Sequence, residues 1–376
     1  MTINRTITDS VKKSLLNDKK VVIIYGARQT GKTTMANSIL NSISGKILRV
    51  NADEEKYIEL FSSRDYSRMQ LLIEGYDVLF IDEAQRIPDL GINLKIIHDN
   101  TPKLKILVTG SSSFDIANTV NEPLTGRTST YKLHPISLHE LKDKNSVFEL
   151  QNRLEEFMTY GLYPALLKYK NANDKERYII ELSNSYLYKD ILELSSIRNA
   201  SQINKLLKLL AFQIGSEVSI NELAQNIGMS QETVNNYIDL LEKSFIVFRL
   251  SGFSKNLRKE ITKRNKILFW DLGVRNCIIN NFAPLDMRND VGAMWENFII
   301  AERIKYLSNI NKNVSSYFWR TYTGAEVDYV EEKNGILTAF EIKYKKTRKK
   351  APQAWIENYG NNFHCITQSN FWEYIM

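Results

Sequence analysis

Apolar residues between positions 21 and 140 come in short blocks separated by amphipathic stretches. The blocks "VVIIY" (21–25), "KILRV" (46–50), "DVLFID" (77–82) and "KILVTG" (105–110) are short and rich in β-branched side chains. Such blocks are predicted to be strands buried on both faces. Between them, "TTMANSILNSI" and "GINLKIIHD" read as helices. This alternation predicts a parallel sheet covered by helices. From about 150 to 200 the pattern turns helical, in "NRLEEFMTYGLYPALLKY" and "KERYIIELSNSYLYKDILEL". After "NKILFWD" (265–271), a helix over "VGAMWENFIIAERIKYL" precedes three strand-like runs.

Residues 201–250 form a unit of their own. In "SINELAQNIGMSQETVNNYIDLLEKSFIVFRL", Ile220, Leu223, Ala224 and Ile227 recur at helical spacing, and so do Val234, Tyr237, Ile238 and Leu241. Gly228 supplies a turn between the two helices and Ser230 a cap for the second. The pattern is helix-turn-helix, with "FIVFRL" starting a wing. The outer face of the second helix offers Gln231, Glu232, Asn235, Asn236 and Asp239, a poor set for reading a major groove. Arg249, Lys255, Arg258, Lys259, Lys263, Arg264 and Lys266 suit a phosphate backbone better. The alternative is a packing module whose basic strand is merely solvated.

Candidate chemistry begins at "GARQTGKTT" (26–34), which fits G-x-x-x-x-G-K-[ST] between a strand and a helix. Gly26 and Gly31 allow backbone amides to surround phosphates, and Gly26, Ala27, Gln29, Thr30, Gly31, Lys32, Thr33 and Thr34 make up the nucleotide cradle. Lys32 is positioned to reach the β- and γ-phosphates, and the Thr33 hydroxyl to ligate Mg²⁺. "VLFIDEAQ" ends a strand in Asp82, expected in the Mg²⁺ shell, and Glu83, expected to polarise the attacking water. Ser111, after the strand "KILVTG", either senses the γ-phosphate or belongs to a run of serines capping the next helix. Arg127 either stabilises charge on the transferred phosphoryl group, in its own chain or a neighbour, or forms a structural ion pair.

These segments resemble the AAA+ superfamily ATPases of bacteria and archaea that carry a C-terminal domain of unknown function. The resemblance rests on "GARQTGKTT", "LFIDEAQRIPDL", "LVTGSSS" and "LTGRTSTYKLHPISLHEL", and continues through "LYKDI", "WDLGVRN", "WENFIIAE" and "FWRTYTGAEVDYV…FEIKYKK". It implies ATP as the nucleotide, because the loop itself does not read the base. It also implies an α/β fold: a P-loop AAA+ parallel sheet with a helical lid, a winged helix-turn-helix unit and a nuclease-like C-terminal domain. The expected divisions are 1–145, 146–200, 201–264 and 265–376.

In the last of these, Asp328 lies near one strand and Glu341-Ile-Lys343 on the next, with Glu341 and Lys343 on one face. Glu296, on the preceding helix, completes the order of the PD-(D/E)XK nucleases, which this region resembles. Two carboxylates beside a lysine suit metal-assisted phosphodiester hydrolysis, so Glu296, Asp328 and Glu341 are expected to share Mg²⁺ or Mn²⁺, with Lys343 stabilising charge. The alternatives are a nuclease fold without activity and a hairpin with ordinary charge pairing. Lys345, Lys346, Arg348, Lys349 and Lys350 follow, and suit either a nucleic-acid backbone or a solvated turn.

Composition adds limits. The chain of 376 residues is long enough for two or three domains, and 43% hydrophobic with 25% charged residues is ordinary for a globular protein. No apolar stretch approaches the ~20 residues of a membrane helix, so no membrane partner is expected. Two cysteines, Cys277 and Cys365, and no secretion signal point to the cytoplasm, and four scattered histidines give no zinc spacing. A formal charge of +7 points toward an acidic partner such as DNA. The expected activity is ATP hydrolysis controlling the C-terminal module, by a chain that can self-associate. The alternative is a nucleotide-switched DNA-binding or partner-binding regulator with an inactive nuclease fold.

Overall fold

The computed structural model describes residues 3–111, 124–193, 200–254, 265–345 and 350–376. The chain divides into two compact units, one of Thr2–Pro135 with Lys243–Phe245, the other of Ile136–Glu242 with Ile246–Met376. Among the described residues, no helix is long and apolar enough to cross a membrane.

The first unit is built on β1 (Val21–Tyr25), β2 (Ile47–Asn51), β3 (Val78–Asp82), β4 (Lys105–Gly110) and β5 (Thr128–Lys132), in the order β2-β3-β4-β1-β5. All four pairings are parallel. Strand alternation divides each block between two cores: Val21, Ile23, Leu79 and Ile81 face one, Val22, Ile24, Val78 and Phe80 the other. The order puts β4 between β1 and β3. The carboxyl ends of all three therefore open on one edge, where ligands of parallel α/β sheets bind.

The second unit contains a seven-stranded sheet, β12-β11-β10-β9-β7-β8-β6. Its strands are β6 (Glu217–Val218), β7 (Val247–Gly252), β8 (Asn265–Phe269), β9 (Ser315–Arg320), β10 (Glu326–Lys333), β11 (Ile336–Ile342) and β12 (Phe363–Ile366). The helices Ile220–Ile227 and Gln231–Lys243 precede β7, with Gly228 in the left-handed region (φ 75°) between them. Ser230 Oγ accepts from Thr233 N at 3.1 Å, capping the second helix. Leu223, Ala224, Ile227, Val234, Ile238 and Leu241 are the buried stripe of the pair.

Two expected divisions are redrawn. The boundary at 264/265 would cut between paired strands: β8 runs antiparallel to both β7 and β6. Beyond it, β7 pairs parallel with β9 through Ser251↔Tyr317 and Gly252↔Phe318, so the sheet is continuous. The helical stretch 146–200 belongs with the second unit. There the buried Asp271 carboxylate accepts from Leu162 N at 2.7 Å, and Asn276 Nδ2 donates to the carbonyls of Met158 and Thr159. Gly161 (φ 88°) is required at this contact, since a Cβ would lie 2.0 Å from Asp271 Oδ1.

Candidate active sites

At the carboxyl edge of the first sheet, residues 26–34 leave β1 and enter the helix Lys32–Asn41. Gly31 adopts φ 94°, ψ 23°, a conformation that a side chain would strain. Gly26 packs so closely that a Cβ would sit 2.0 Å from the Leu133 carbonyl oxygen. The Thr30 hydroxyl donates to Ala27 O at 2.8 Å, closing the loop on itself. Lys32 Nζ donates to Gly26 O at 3.0 Å and Ala27 O at 2.8 Å, so its ammonium lies over the cradle. Gln29 and Thr34 are exposed. Arg5, which sequence reading missed, braces the loop from outside: its guanidinium donates to Thr30 O at 2.6 Å and His134 O at 2.7 Å.

Asp82, the last residue of β3, joins the loop to the neighbouring strands. Its Oδ1 accepts from Thr33 Oγ1 at 3.1 Å and, in a very short contact, from the buried Thr109 hydroxyl of β4. Two hydroxyls and a carboxylate at one point are an oxygen-only set that fits Mg²⁺. Glu83 follows in the left-handed region (φ 54°), a conformation costing a non-glycine residue of order 1 kcal/mol and concentrated at functional sites. Gln85 Nε2 donates to Glu83 Oε2 at 2.5 Å, while Gln85 Oε1 accepts from Ser111 N at 3.0 Å. Gln85 therefore holds Glu83 and Ser111 in one network. The serines after Ser111, which would test its capping alternative, lie outside the described residues.

Arg127 is elsewhere. Its carbonyl accepts from Val21 N, at the amino-terminal end of β1, so it lies at the opposite edge of the sheet from residues 26–34. Its side chain pairs with Asp99, Nε to Oδ1 at 3.0 Å. The five residues of β1 separate the edges by roughly 16 Å, so the side chain does not act on a phosphoryl group at its own chain's loop. That expectation is corrected to the ion pair, with action on a neighbouring chain still open.

In the second unit, Asp328 on β10 and Glu341 on β11 converge on Lys343. Lys343 Nζ lies 3.1 Å from Asp328 Oδ2 and 2.8 Å from Glu341 Oε1, and Ile342 N donates to Asp328 Oδ2 at 2.8 Å. With Glu326 and Lys350 they line a cavity of about 360 Å³. Glu296, on the helix Val291–Asn309, meets a different cation: Lys266 Nζ of β8 lies 2.8 Å from Glu296 Oε1 and 2.7 Å from Glu326 Oε1. Burial pushes Glu296 up to about 7, with Asp328 and Glu326 repelling its charge and Lys266 opposing the rise. Burial likewise raises Asp328, and Glu341 adds to the rise against the pull of Lys343. Burial disfavours the charge on Lys343, but Asp328 and Glu341 outweigh it and hold its pKa above the ordinary lysine value.

Four carboxylates and two ammoniums thus form one array, of which Glu326 and Lys266 were missed. Glu326 precedes Asp328 by two residues on one strand, a spacing that places them on one face and could have found it. The three carboxylates expected to share a divalent metal are divided between two lysines, Glu296 meeting Lys266 while Asp328 and Glu341 meet Lys343. Among the described residues no group of three or more His, Cys, Asp or Glu side chains is arranged to hold a metal, and each of these carboxylates has a lysine beside it.

The basic residues expected to meet DNA divide three ways. Arg249 is taken up by Asp239 at 2.5 Å and by Glu242, and Lys266 is 1% exposed within the carboxylate array, so neither faces a phosphate backbone. Lys345 and Lys350 are exposed. Lys255, Arg258, Lys259, Lys263, Arg264, Lys346, Arg348 and Lys349 lie outside the described residues.

Glu296 makes the array pH-sensitive. A carboxyl that titrates near 7 when folded and near 4.5 when unfolded binds more protons in the folded state between those values, so its contribution to stability falls as pH rises through that window. Glu296→Gln is expected to flatten the decline of the melting temperature between pH 4.5 and 7. An unchanged slope would remove the assigned shift.

Comparison with known proteins matches the geometry of the first unit. The AAA domain family model matches residues 18–142. Two others, each described as a domain of unknown function (DUF8612 and DUF4143), match 151–285 and 291–365. An uncharacterized protein of Mycobacterium tuberculosis is 28% identical over 354 residues, covering 92% of this chain and 75% of the relative. Another, from Methanocaldococcus jannaschii, is 25% identical over 313 residues, covering 76% and 70%. Among solved structures, a Walker-type ATPase of Pyrococcus abyssi superposes with a TM-score of 0.52 at 14% identity, covering 72% of this chain and 94% of that one. The fold of that protein, the AAA match and the phosphate loop agree on a P-loop α/β fold for the first unit, which is similar to AAA domains over residues 18–142.

Proposed function

We propose that this chain hydrolyses ATP and that its nucleotide state controls a PD-(D/E)XK-like site in the second unit, acting on DNA. The observation that carries the ATPase half is Asp82, whose carboxylate joins the phosphate-loop residue Thr33 to Thr109 at the strand ends. In this reading Lys32 moves from the loop carbonyls to the β- and γ-phosphates. Thr33 and Asp82 would hold Mg²⁺, which when bound supplies positive charge to offset that of the phosphates. Glu83 takes the proton of the attacking water, and Gln85 fixes the carboxylate that does so. Ser111, tied to Gln85, reports the γ-phosphate to β4.

The helix-turn-helix followed by the antiparallel β7–β8 ribbon, with β6 beside β8, supports a winged-helix reading and DNA as the partner. Asp328, Glu341 and Lys343 around one cavity support the phosphodiester site, where the carboxylates would hold Mg²⁺ or Mn²⁺. A second reading has its own observation. Lys266 and Lys343 already neutralise the carboxylates, which suits a nucleotide-switched regulator built on an inactive nuclease fold.

Two experiments test these roles. Lys32→Ala is expected to abolish tight Mg·ATP binding, whereas Glu83→Gln keeps binding and loses turnover by about 10²–10⁴-fold. Wild-type hydrolysis by Lys32→Ala would contradict the assignment. Under the nuclease reading, Asp328→Ala eliminates Mn²⁺-dependent DNA cleavage and leaves ATP hydrolysis at the wild-type rate. Under the regulator reading the wild-type protein cleaves nothing, which the same gel assay reports.

A further inference from the structure

Behind the phosphate loop lies a residue to which the hydrolysis chemistry gives no part. Arg5, 8% exposed, sits just ahead of the helix Thr8–Asn17, and its guanidinium spans two backbone segments, Nη1 meeting Thr30 O and Nη2 meeting His134 O. Its own position is fixed. Thr8 N donates to Arg5 O at 3.0 Å, and Ile7 packs in one core with Val22, Ile24 and Leu133. Thr30 is wholly buried, so its carbonyl requires a partner, and Arg5 provides one at 2.6 Å. The same wall meets the start of the loop, since Leu133, beside His134, is the residue whose carbonyl excludes any side chain at Gly26.

The consequence lies at the other end of the Thr30–Gly31 peptide. No described peptide is cis, so the Gly31 N–H points opposite to the Thr30 carbonyl and away from Arg5. Gly31 is the N-cap of the helix Lys32–Asn41, and among the described residues no acceptor meets its N–H. Amides at that place in a phosphate loop are the ones that cradle phosphate. A hydrogen bond accepted by a carbonyl polarises its peptide and makes the N–H at the far end a stronger donor. A charged donor such as a guanidinium does this more than a neutral one. Holding the carbonyl also keeps the peptide from turning over, a rotation that the glycine permits and that would aim an oxygen where the N–H should be.

We propose that Arg5 is a positioning residue of the nucleotide site: it holds the Thr30 carbonyl so that the Gly31 N–H, polarised and aimed, donates to a phosphate oxygen of the nucleotide. This role rests on the nucleotide reading of the loop. Its test is calorimetric titration of the full chain with ADP, a ligand that removes turnover from the measurement. The proteins are the wild type, Lys32→Ala, Arg5→Ala, Arg5→Gln and Arg5→Lys, with the melting temperature of each read without nucleotide.

Arg5→Ala is expected to bind ADP about 10- to 150-fold more weakly, the span for losing one hydrogen bond to a charged group. Arg5→Lys, which keeps a charged donor, should recover most of that loss, whereas Arg5→Gln, a donor without charge, should stay near Arg5→Ala. A merely structural brace would lower the melting temperature of Arg5→Ala and leave its ADP affinity at the wild-type value, which would overturn the proposal. Equal affinities in Arg5→Gln and Arg5→Lys would overturn it too, and that pair decides the matter if Arg5→Ala does not fold. No ADP binding by the wild type, or wild-type binding by Lys32→Ala, removes the nucleotide reading and this role with it. Loss in Lys32→Ala beside wild-type affinity in Arg5→Ala removes this role alone.

Discussion

A single carboxylate oxygen organises the nucleotide edge of the first unit. Asp82 Oδ1 takes hydrogen bonds from Thr33, at the start of the phosphate-loop helix, and from Thr109, at the end of β4. Three segments distant in sequence are thereby fixed at one point. The contact is available because β4 lies between β1 and β3, placing a polar strand end beside the loop. It also sets the next residues: the left-handed turn at Glu83 sends that side chain toward Gln85, and Gln85 ties it to Ser111.

The second unit depends on a different balance. Gathering four carboxylates, Asp328 and Glu341 buried and Glu296 and Glu326 partly so, is costly, and two lysines offset much of that cost through close ion pairs. Burial still pushes Glu296 up to about 7, with Asp328 and Glu326 adding to the rise against the pull of Lys266. The helix that carries Glu296 is anchored at both ends of the relevant stretch. Asp290, before its first turn, is held by Arg288 at 2.8 Å and Arg275 at 2.5 Å. Glu302, two turns beyond Glu296, accepts from Leu138 N at 2.7 Å. Because β8 supplies Lys266 and β10 supplies Glu326 and Asp328, the ribbon and the carboxylate strands form one electrostatic unit within one sheet.

Much of the first sheet was readable because its strands are apolar on both faces and its glycines sit where phosphate chemistry needs them. Asp82 and Glu83 stand out at a strand end, but Thr109 does not, since a threonine inside "KILVTG" looks like any strand residue. Arg5 could not be found by local pattern, as its partner Thr30 lies twenty-five residues away. Gln85 closes the quoted stretch "VLFIDEAQ" two residues after Glu83 and was open to notice. Lys266 shows the limit of charge counting. In sequence it is one of seven basic residues, and only the fold reveals that it is buried between two glutamates. The division expected at 264/265 falls between the paired strands β7 and β8, a pairing that the basic run read there as a wing does not announce.

The place of Asp82 is best probed by calorimetry of ATP binding with and without Mg²⁺ for the wild type and Asp82→Asn. Asparagine keeps an acceptor oxygen for Thr33 and Thr109, so the strand ends stay together, while the charge facing the metal is removed. Metal-free affinity should be the same in both proteins, and the gain that Mg²⁺ brings to the wild type should be lost in the variant. An undiminished Mg²⁺ gain in Asp82→Asn would show that the carboxylate is a structural tie and that the metal, if bound, is held elsewhere.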